Sequence, residues 1–247
     1  MNDLLSGYDN RTGRPPGRFV SALGLVLTGI AAVRRTADPL ADTWRERNRD
    51  ALESPDTGRR WVVLGDSMMQ GVGASSIDAG LVGQLHDRLL AQGFPLTVVN
   101  LSATGARVPD VLDQQVPVMK SLPPTKGAPD LVTVLAGSND LFGGRTRRRE
   151  LPGAMARLVE VLPRGAVVCT LPQPRAAARA ANVHLDEAAR NGQLRLVDLR
   201  VSGPRSWRGK LAADRFHPND AGYAGMADAF EPVLLAALRE DPVDAAS

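Results

Sequence analysis

An α/β fold, a three-layer α/β/α sandwich around a five-stranded parallel sheet, is predicted by the alternation of short apolar runs and helix-forming stretches from Arg60 onward. The runs at 61–64, 96–101, 130–136, 166–171 and 194–199 are rich in Val and Leu. They lack the polar alternation of half-exposed strands, so they read as strands buried on both faces. Helical stretches lie between them near 80–92, 108–120, 147–162 and 175–191, and a last one covers 220–239 with an expected kink at Pro232. Such alternation needs crossover connections, which place helices on both faces of one sheet.

Upstream of this pattern, residues 1–17 are rich in Gly, Pro, Arg and Asp and are expected to be disordered. Phe19 to Val33 is uncharged and lies between Arg18 and the pair Arg34-Arg35. It is shorter than the roughly 20 residues of a membrane span. The arginines that follow it, and the lack of a small-x-small site, argue against a cleaved signal. Three readings stay open: a helix docked on the main domain, an interfacial membrane anchor, and an uncleaved signal. Residues 36–60, with Asp38-Pro39 and a charged run from Trp44 to Asp50, read as a connector holding one short polar helix. The expected organisation is an N-terminal segment over 1–57, one domain over 58–241 and a tail over 242–247. A cytoplasmic location follows, with membrane association through 19–33 as a further expectation and export as the alternative.

Composition narrows the function. A hydrophobic content of 43% suits an ordinary globule with a sizeable core, and 30 basic against 27 acidic residues leave a net charge of +3. That balance, without aromatic interleaving, argues against a nucleic-acid partner. The one cysteine, Cys169, excludes an intrachain disulfide, and in a buried strand it is expected to be inert. No paired-cysteine or His-Glu-x-x-His spacing occurs, so neither metal nor other cofactor is expected. Gly71-Val72-Gly73 superficially suggests a dinucleotide turn but lacks the third glycine and lies beyond the strand end.

The chemistry is expected at the end of the first run. Trp61-Val62-Val63-Leu64 stops at Gly65-Asp66-Ser67, and ligands of open α/β sheets bind beyond the carboxyl ends of strands. Ser67 is therefore the candidate nucleophile, and it requires a base. Of three histidines, His86 lies off the buried face of its helix and His184 lies in a polar, alanine-rich helix with nothing to orient its ring. His217 stands in Asp214-Arg215-Phe216-His217-Pro218, three residues after a carboxylate that can hold one ring nitrogen and leave the other for Ser67. Each feature also has an ordinary explanation: Asp66 or Ser67 as a helix cap, Asn139 or Asp140 likewise, Gly105 as a turn glycine, and 214–217 as a surface turn.

The four segments together resemble the SGNH (GDSL-type) hydrolases, whose signature blocks match Gly65-Asp66-Ser67, the glycine of Asn100-Leu101-Ser102-Ala103-Thr104-Gly105, Gly137-Ser138-Asn139-Asp140, and Asp214-Arg215-Phe216-His217-Pro218, in that order. The resemblance implies the flavodoxin-like fold of that family. It also implies Ser67 as nucleophile, His217 as base, Asp214 as its orienter, and the Ser67 N–H, Gly105 N–H and Asn139 amide as oxyanion donors. Hydrolysis of small-molecule or lipid carboxylic esters through an acyl-enzyme is then expected. A thioesterase or carbohydrate acetyl-esterase on the same site, and a binding domain without turnover, are the alternatives. Arg145, Arg147, Arg148 and Arg149 form a basic loop after the third block and are candidates for steering substrate. Nothing in the sequence sets the oligomeric state.

Overall fold

The computed structural model describes residues 5, 7–13, 28–53, 59–125 and 128–240, with backbone alone at 28–32 and 34. Helix α1 (Thr28–Glu53) leads into β1 (Arg59–Gly65), the one-turn α2 (Ser67–Gln70) and α3 (Leu81–Ala91). After β2 (Leu96–Asn100), α4 (108–121) contains a π-helical stretch over Val111–Gln115. There follow β3 (Leu131–Leu135), the short α5 (Ser138–Leu141), α6 (Arg145–Val161), β4 (Val167–Cys169), α7 (Ala176–Arg190), β5 (Arg195–Val197), α8 (Leu199–Ser202) and α9 (Asp220–Glu240).

All five strands pair in parallel in the order β2-β1-β3-β4-β5, as the alternation predicts. Two apolar layers follow from the period of two along each strand. Trp61, Val63, Leu131 and Leu135 face a core shared with α3 and α9, whereas Val62, Leu64, Val132 and Val134 face the core under α4, α6 and α7. Pro232 lies inside α9, which runs on to Glu240. The chain leaves β1 for β2 on one side and returns to β3 on the other, so the strand order switches at β1. Ligand crevices form outside the carboxyl ends of strands at such a point.

The N-terminal part departs from expectation. Residues 36–60 are no connector with a short helix: α1 runs for 26 residues straight through Asp38-Pro39. Its apolar face is thin, but Ala41 and Trp44 are buried, and the Trp44 indole donates to the Gln70 carbonyl at the end of α2 (3.1 Å). Asn48, 0% exposed, does what a peptide group would do. Its Oδ1 accepts from the Asn100 N–H and its Nδ2 donates to the Asn100 carbonyl, both at 2.7 Å, which satisfies the open edge of β2. Polar residues that look solvated in the sequence are thus interior bonding groups.

Residues 7–13, expected to be disordered, form a strap. Asn10, 1% exposed, donates to the carbonyls of Asn100 and Ser102 (2.7 and 2.9 Å). The Tyr8 hydroxyl donates to the Leu101 carbonyl, and Arg11 bridges Thr104 and pairs with Asp42 of α1 (2.9 Å). The apolar segment at 19–33 falls mostly outside the described residues. Among those described, no helix is long and apolar enough to cross a membrane.

The Asn48 contacts predict that Asn48→Leu leaves the Asn100 N–H buried without its partner and the Asn100 carbonyl with Asn10 alone. It should cost about 1–3 kcal/mol in urea unfolding, and a chain starting at Arg59 should lose at least as much. Unchanged denaturation midpoints would show that α1 is dispensable to the domain.

Candidate active site

The site begins where β1 ends. Gly65 has φ 147° and lies so close to β3 that a Cβ would fall 2.2 Å from the Leu135 carbonyl oxygen. Only glycine permits that approach. Gln115, aimed by the π-helical stretch of α4, holds the same peptide: its Oε1 accepts from the Gly65 N–H (2.7 Å) and its Nε2 donates to the Gly65 carbonyl (2.8 Å). Single π-helical turns often mark functional sites, because they redirect one side chain out of register. Asp66 then caps α2 by accepting from the Met68 N–H (3.0 Å), which makes Ser67 the first helical residue, where backbone N–H groups have no helical acceptor.

The partner of Ser67 comes from 150 residues downstream. The Ser67 hydroxyl lies 2.9 Å from His217 Nε2, and His217 Nδ1 lies 2.6 Å from Asp214 Oδ2. The Asp-x-x-His spacing works through a turn. Asp214 Oδ1 accepts from the N–H groups of Phe216 and His217 (3.0 Å each), and Arg215 takes the left-handed conformation at φ 55° to close it. Burial pushes the Asp214 carboxyl up, but the bonds from the His217 ring and from these amides outweigh it and hold the group below its usual range. Asp214 is therefore an anion that can orient the ring. His86 and His184 stay on their helices, half-buried and away from Ser67.

The other two blocks meet beside the serine. Asn139 caps nothing: α5 starts at Ser138 with Gly137 as its flanking residue. The Asn139 amide instead crosses to the Ala106 carbonyl (2.9 Å) and lies 3.5 Å from Asp66 Oδ2. Asp140 accepts from the Val108 N–H (3.0 Å), so the third block clamps the start of α4 just after Gly105, whose φ is 79°. Ser67, Gly105 and Asn139 thereby come from the ends of three adjacent strands, β1, β2 and β3. The four loop arginines lie in the first turns of α6.

Some supporting residues escape sequence reasoning. A Cβ on Gly73 would meet the Pro218 carbonyl oxygen at 2.5 Å and the His217 Cβ at 2.8 Å, so this glycine, read as part of a false dinucleotide turn, lets the loop after α2 pack onto the histidine. The Tyr223 hydroxyl, fully buried, donates to the Val72 carbonyl (2.6 Å), and Asp220 accepts from the Ser75 N–H (2.7 Å), so α9 holds the same loop. These are long-range contacts with no local signature.

Beside the serine opens a cavity of about 550 Å³. Met68, Ser138 and Phe216, chain neighbours of Ser67, Asn139 and His217, line it together with Leu135, Leu171 and Trp207. Cys169 also lines it, and burial pushes its thiol well above the usual range, so it stays protonated.

Two buried acids stand behind the site. Burial pushes Asp66 up to about 7 against the Met68 bond and the nearby His217, and it pushes Asp140 up to about 6 against the Val108 bond. Because Asp66 holds its proton to higher pH folded than unfolded, its contribution to stability falls as pH rises from about 4 to about 7. Asp66→Asn keeps a capping acceptor and removes this titration. Its melting temperature relative to the parent should therefore rise between about pH 5 and about pH 8, by the equivalent of a few kcal/mol at most. A pH-independent difference would place the Asp66 carboxyl in its ordinary range.

The sequence profile of the GDSL-like lipase/acylhydrolase family matches residues 63–224. No curated protein matches the chain in sequence. Among solved structures the chain is similar to the family 3 carbohydrate esterase of Clostridium thermocellum, with a TM-score of 0.59 at 18% identity over 74% of this chain and 98% of that one. It is also similar to the lipase/acylhydrolase from Enterococcus faecalis (0.56, 21%, over 73% and 96%) and to TesA (0.55, 22%, over 72% and 99%). At such identities these likenesses speak for the fold.

Proposed function

Because the chain belongs to the GDSL-like lipase/acylhydrolase family, we propose that it hydrolyses carboxylic esters through an acyl-enzyme on Ser67. The observation that carries this reading is the relay in which His217 sits between Ser67 (2.9 Å) and Asp214 (2.6 Å), assembled from distant parts of the chain. A binding domain without turnover has no need of that alignment.

In the first half-reaction the Ser67 oxygen attacks the acyl carbon while its proton passes to His217 Nε2, and Asp214 stabilises the imidazolium that forms. The negative charge that develops on the former carbonyl oxygen is met by the Ser67 and Gly105 N–H groups and the Asn139 amide. The ester C–O bond then breaks, and the His217 proton goes to the departing alcohol. A water repeats the sequence on the acyl-enzyme, yielding the acid and restoring Ser67. Asn139 has two amide hydrogens. One is committed to Ala106 (2.9 Å), and the same nitrogen lies 3.5 Å from Asp66 Oδ2, a long contact that a developing oxyanion would replace. Thioesters and acetylated sugars would follow the same steps, and the apolar lining of the cavity favours an acyl chain over a sugar.

With a series of p-nitrophenyl esters, Ser67→Ala should lower kcat by roughly 10⁴- to 10⁶-fold while the fold persists. Hydrolysis at the parent rate would remove Ser67 from the chemistry.

Asn139→Ala should lower kcat by roughly 10²- to 10³-fold with little change in KM, because an oxyanion donor acts mainly in the transition state. Asn139→Asp should be at least as damaging, since it sets a second carboxylate beside Asp66. Parent-like kcat in Asn139→Asp would exclude the amide from the oxyanion site.

A further inference from the structure

One rung of the β1–β2 ladder is made by side chains at the point where the site begins. In a parallel pair the bonds run alternately from one strand to the other at even spacing. Here the Leu101 N–H donates to the Val63 carbonyl (2.8 Å), and the Ala103 N–H donates to the Gly65 carbonyl (3.1 Å). The rung between these two would run from the Gly65 N–H to the Leu101 carbonyl. Both groups are bonded elsewhere: the Gly65 N–H donates to Gln115 Oε1 (2.7 Å), and the Leu101 carbonyl accepts from the Tyr8 hydroxyl of the N-terminal strap.

Gln115 is 1% exposed and ends the π-helical stretch of α4, 50 residues beyond Gly65. Its carboxamide carries a donor and an acceptor on one plane, and it uses both on one residue, since Nε2 also donates to the Gly65 carbonyl (2.8 Å). The Leu101 carbonyl would have supplied the acceptor alone. Fixing a glutamine side chain in the interior costs conformational entropy that a backbone rung does not. What the exchange gains is position.

Gly65 stands two residues before Ser67, and Ala103 stands two before Gly105. The two segments are joined at the Gly65 carbonyl, where the Ala103 N–H and Gln115 Nε2 meet. The backbone donors of the ester-hydrolase reading, the Ser67 and Gly105 N–H groups, are therefore each a short step along the chain from the residue that Gln115 holds. Such donors act only when they converge at bonding distance on one developing oxyanion. An unbroken ladder would leave their spacing to the twist of the sheet.

We propose that Gln115 is a positioning residue for hydrolysis: by holding the Gly65 N–H and carbonyl, it sets the spacing of the Ser67 and Gly105 N–H groups around the oxyanion. This role rests on the ester-hydrolase reading of Ser67, and Gln115 acts through Gly65 alone.

The test compares the full-length parent with Gln115→Leu and Gln115→Glu on p-nitrophenyl butyrate. Gln115→Leu removes both bonds while keeping an interior side chain. It should lower kcat by roughly 10- to 100-fold with KM within about twofold, because displaced donors fail the transition state more than the bound ester. A kcat within about twofold of the parent, or a loss of kcat/KM carried by KM, overturns the proposal.

Gln115→Glu covers the case in which the leucine variant folds poorly. The introduced carboxyl offers a donor and an acceptor when protonated and acceptors only when ionised, so the protonated form can restore both bonds. The ratio of its kcat to that of the parent cancels the pH dependence that both share. That ratio should fall at least roughly tenfold between about pH 6 and about pH 9, with circular dichroism unchanged. A ratio that is flat across this range overturns the proposal.

Amide hydrogen exchange needs no turnover. In Gln115→Leu the Ala103 and Gly105 N–H groups should exchange at least roughly tenfold faster, with β4 unaffected, because the carbonyl that anchors their loop is loosened. Unchanged exchange at both positions overturns the proposal. If the parent turns over no ester, the hydrolase reading fails, and the exchange rates alone decide whether Gln115 sets this spacing.

Discussion

The geometry of the site depends on one residue, Gly65. Its N–H and carbonyl are both held by Gln115, its carbonyl also accepts from the Ala103 N–H (3.1 Å), and the next N–H, of Asp66, donates to the Leu135 carbonyl (3.2 Å). Helix α4, the loop after β2 and the end of β3 are thus referred to the same point. Any side chain at this position would drive β1 away from β3, and the serine and the asparagine that follow those two strands would separate with it. Catalytic arrangements tolerate such displacement poorly, since a shift of about 1 Å can cost 10²-fold in rate.

Much of this was legible in the sequence because it is written in local patterns. The five strands are apolar runs with sharp ends, and the sheet needs no other signal. Ser67, Asn139 and His217 could be singled out because each follows a strand end or precedes the last helix within a short polar motif. What could not be read has a common cause: it lies in contacts between residues far apart in sequence. Asn48 acts through an edge strand 52 residues away, Gly73 through the packing of His217, and Gln115 through a π-helical offset that no periodicity announces. The polar run from Trp44 to Asp50 misleads for the same reason. Polarity marks solvent only when the polar groups lack partners inside, and here Asn48 and the Trp44 indole have them.

The aspartates of the site differ in how firmly each holds its proton. Behind β1 and β3, Asp66 and Asp140 are acids that burial pushes above the usual carboxylate range, to about 7 and about 6, so both titrate closer to neutrality than a free carboxyl does. Asp214, the acid held below its usual range, is the one whose oxygens are all bonded within its own turn and to the imidazole. Environment has given three aspartates at one site different jobs.

The N-terminal strap has a consequence for how the chain is assembled. Asn10 bonds to carbonyls 90 and 92 residues further on, and Asn48 to a strand 52 residues further on. During synthesis these segments leave the ribosome before β2, yet they have nothing to grip until β2 has emerged and paired with β1. Contacts of such long sequence separation form late, because the loop they close must be ordered first. Until then the outer edge of β2 presents unpaired backbone groups, a template on which another chain can add. Strap and helix therefore act as a built-in stopper for that edge. Chains that lose them are expected to fail by self-association before they fail by loss of chemistry.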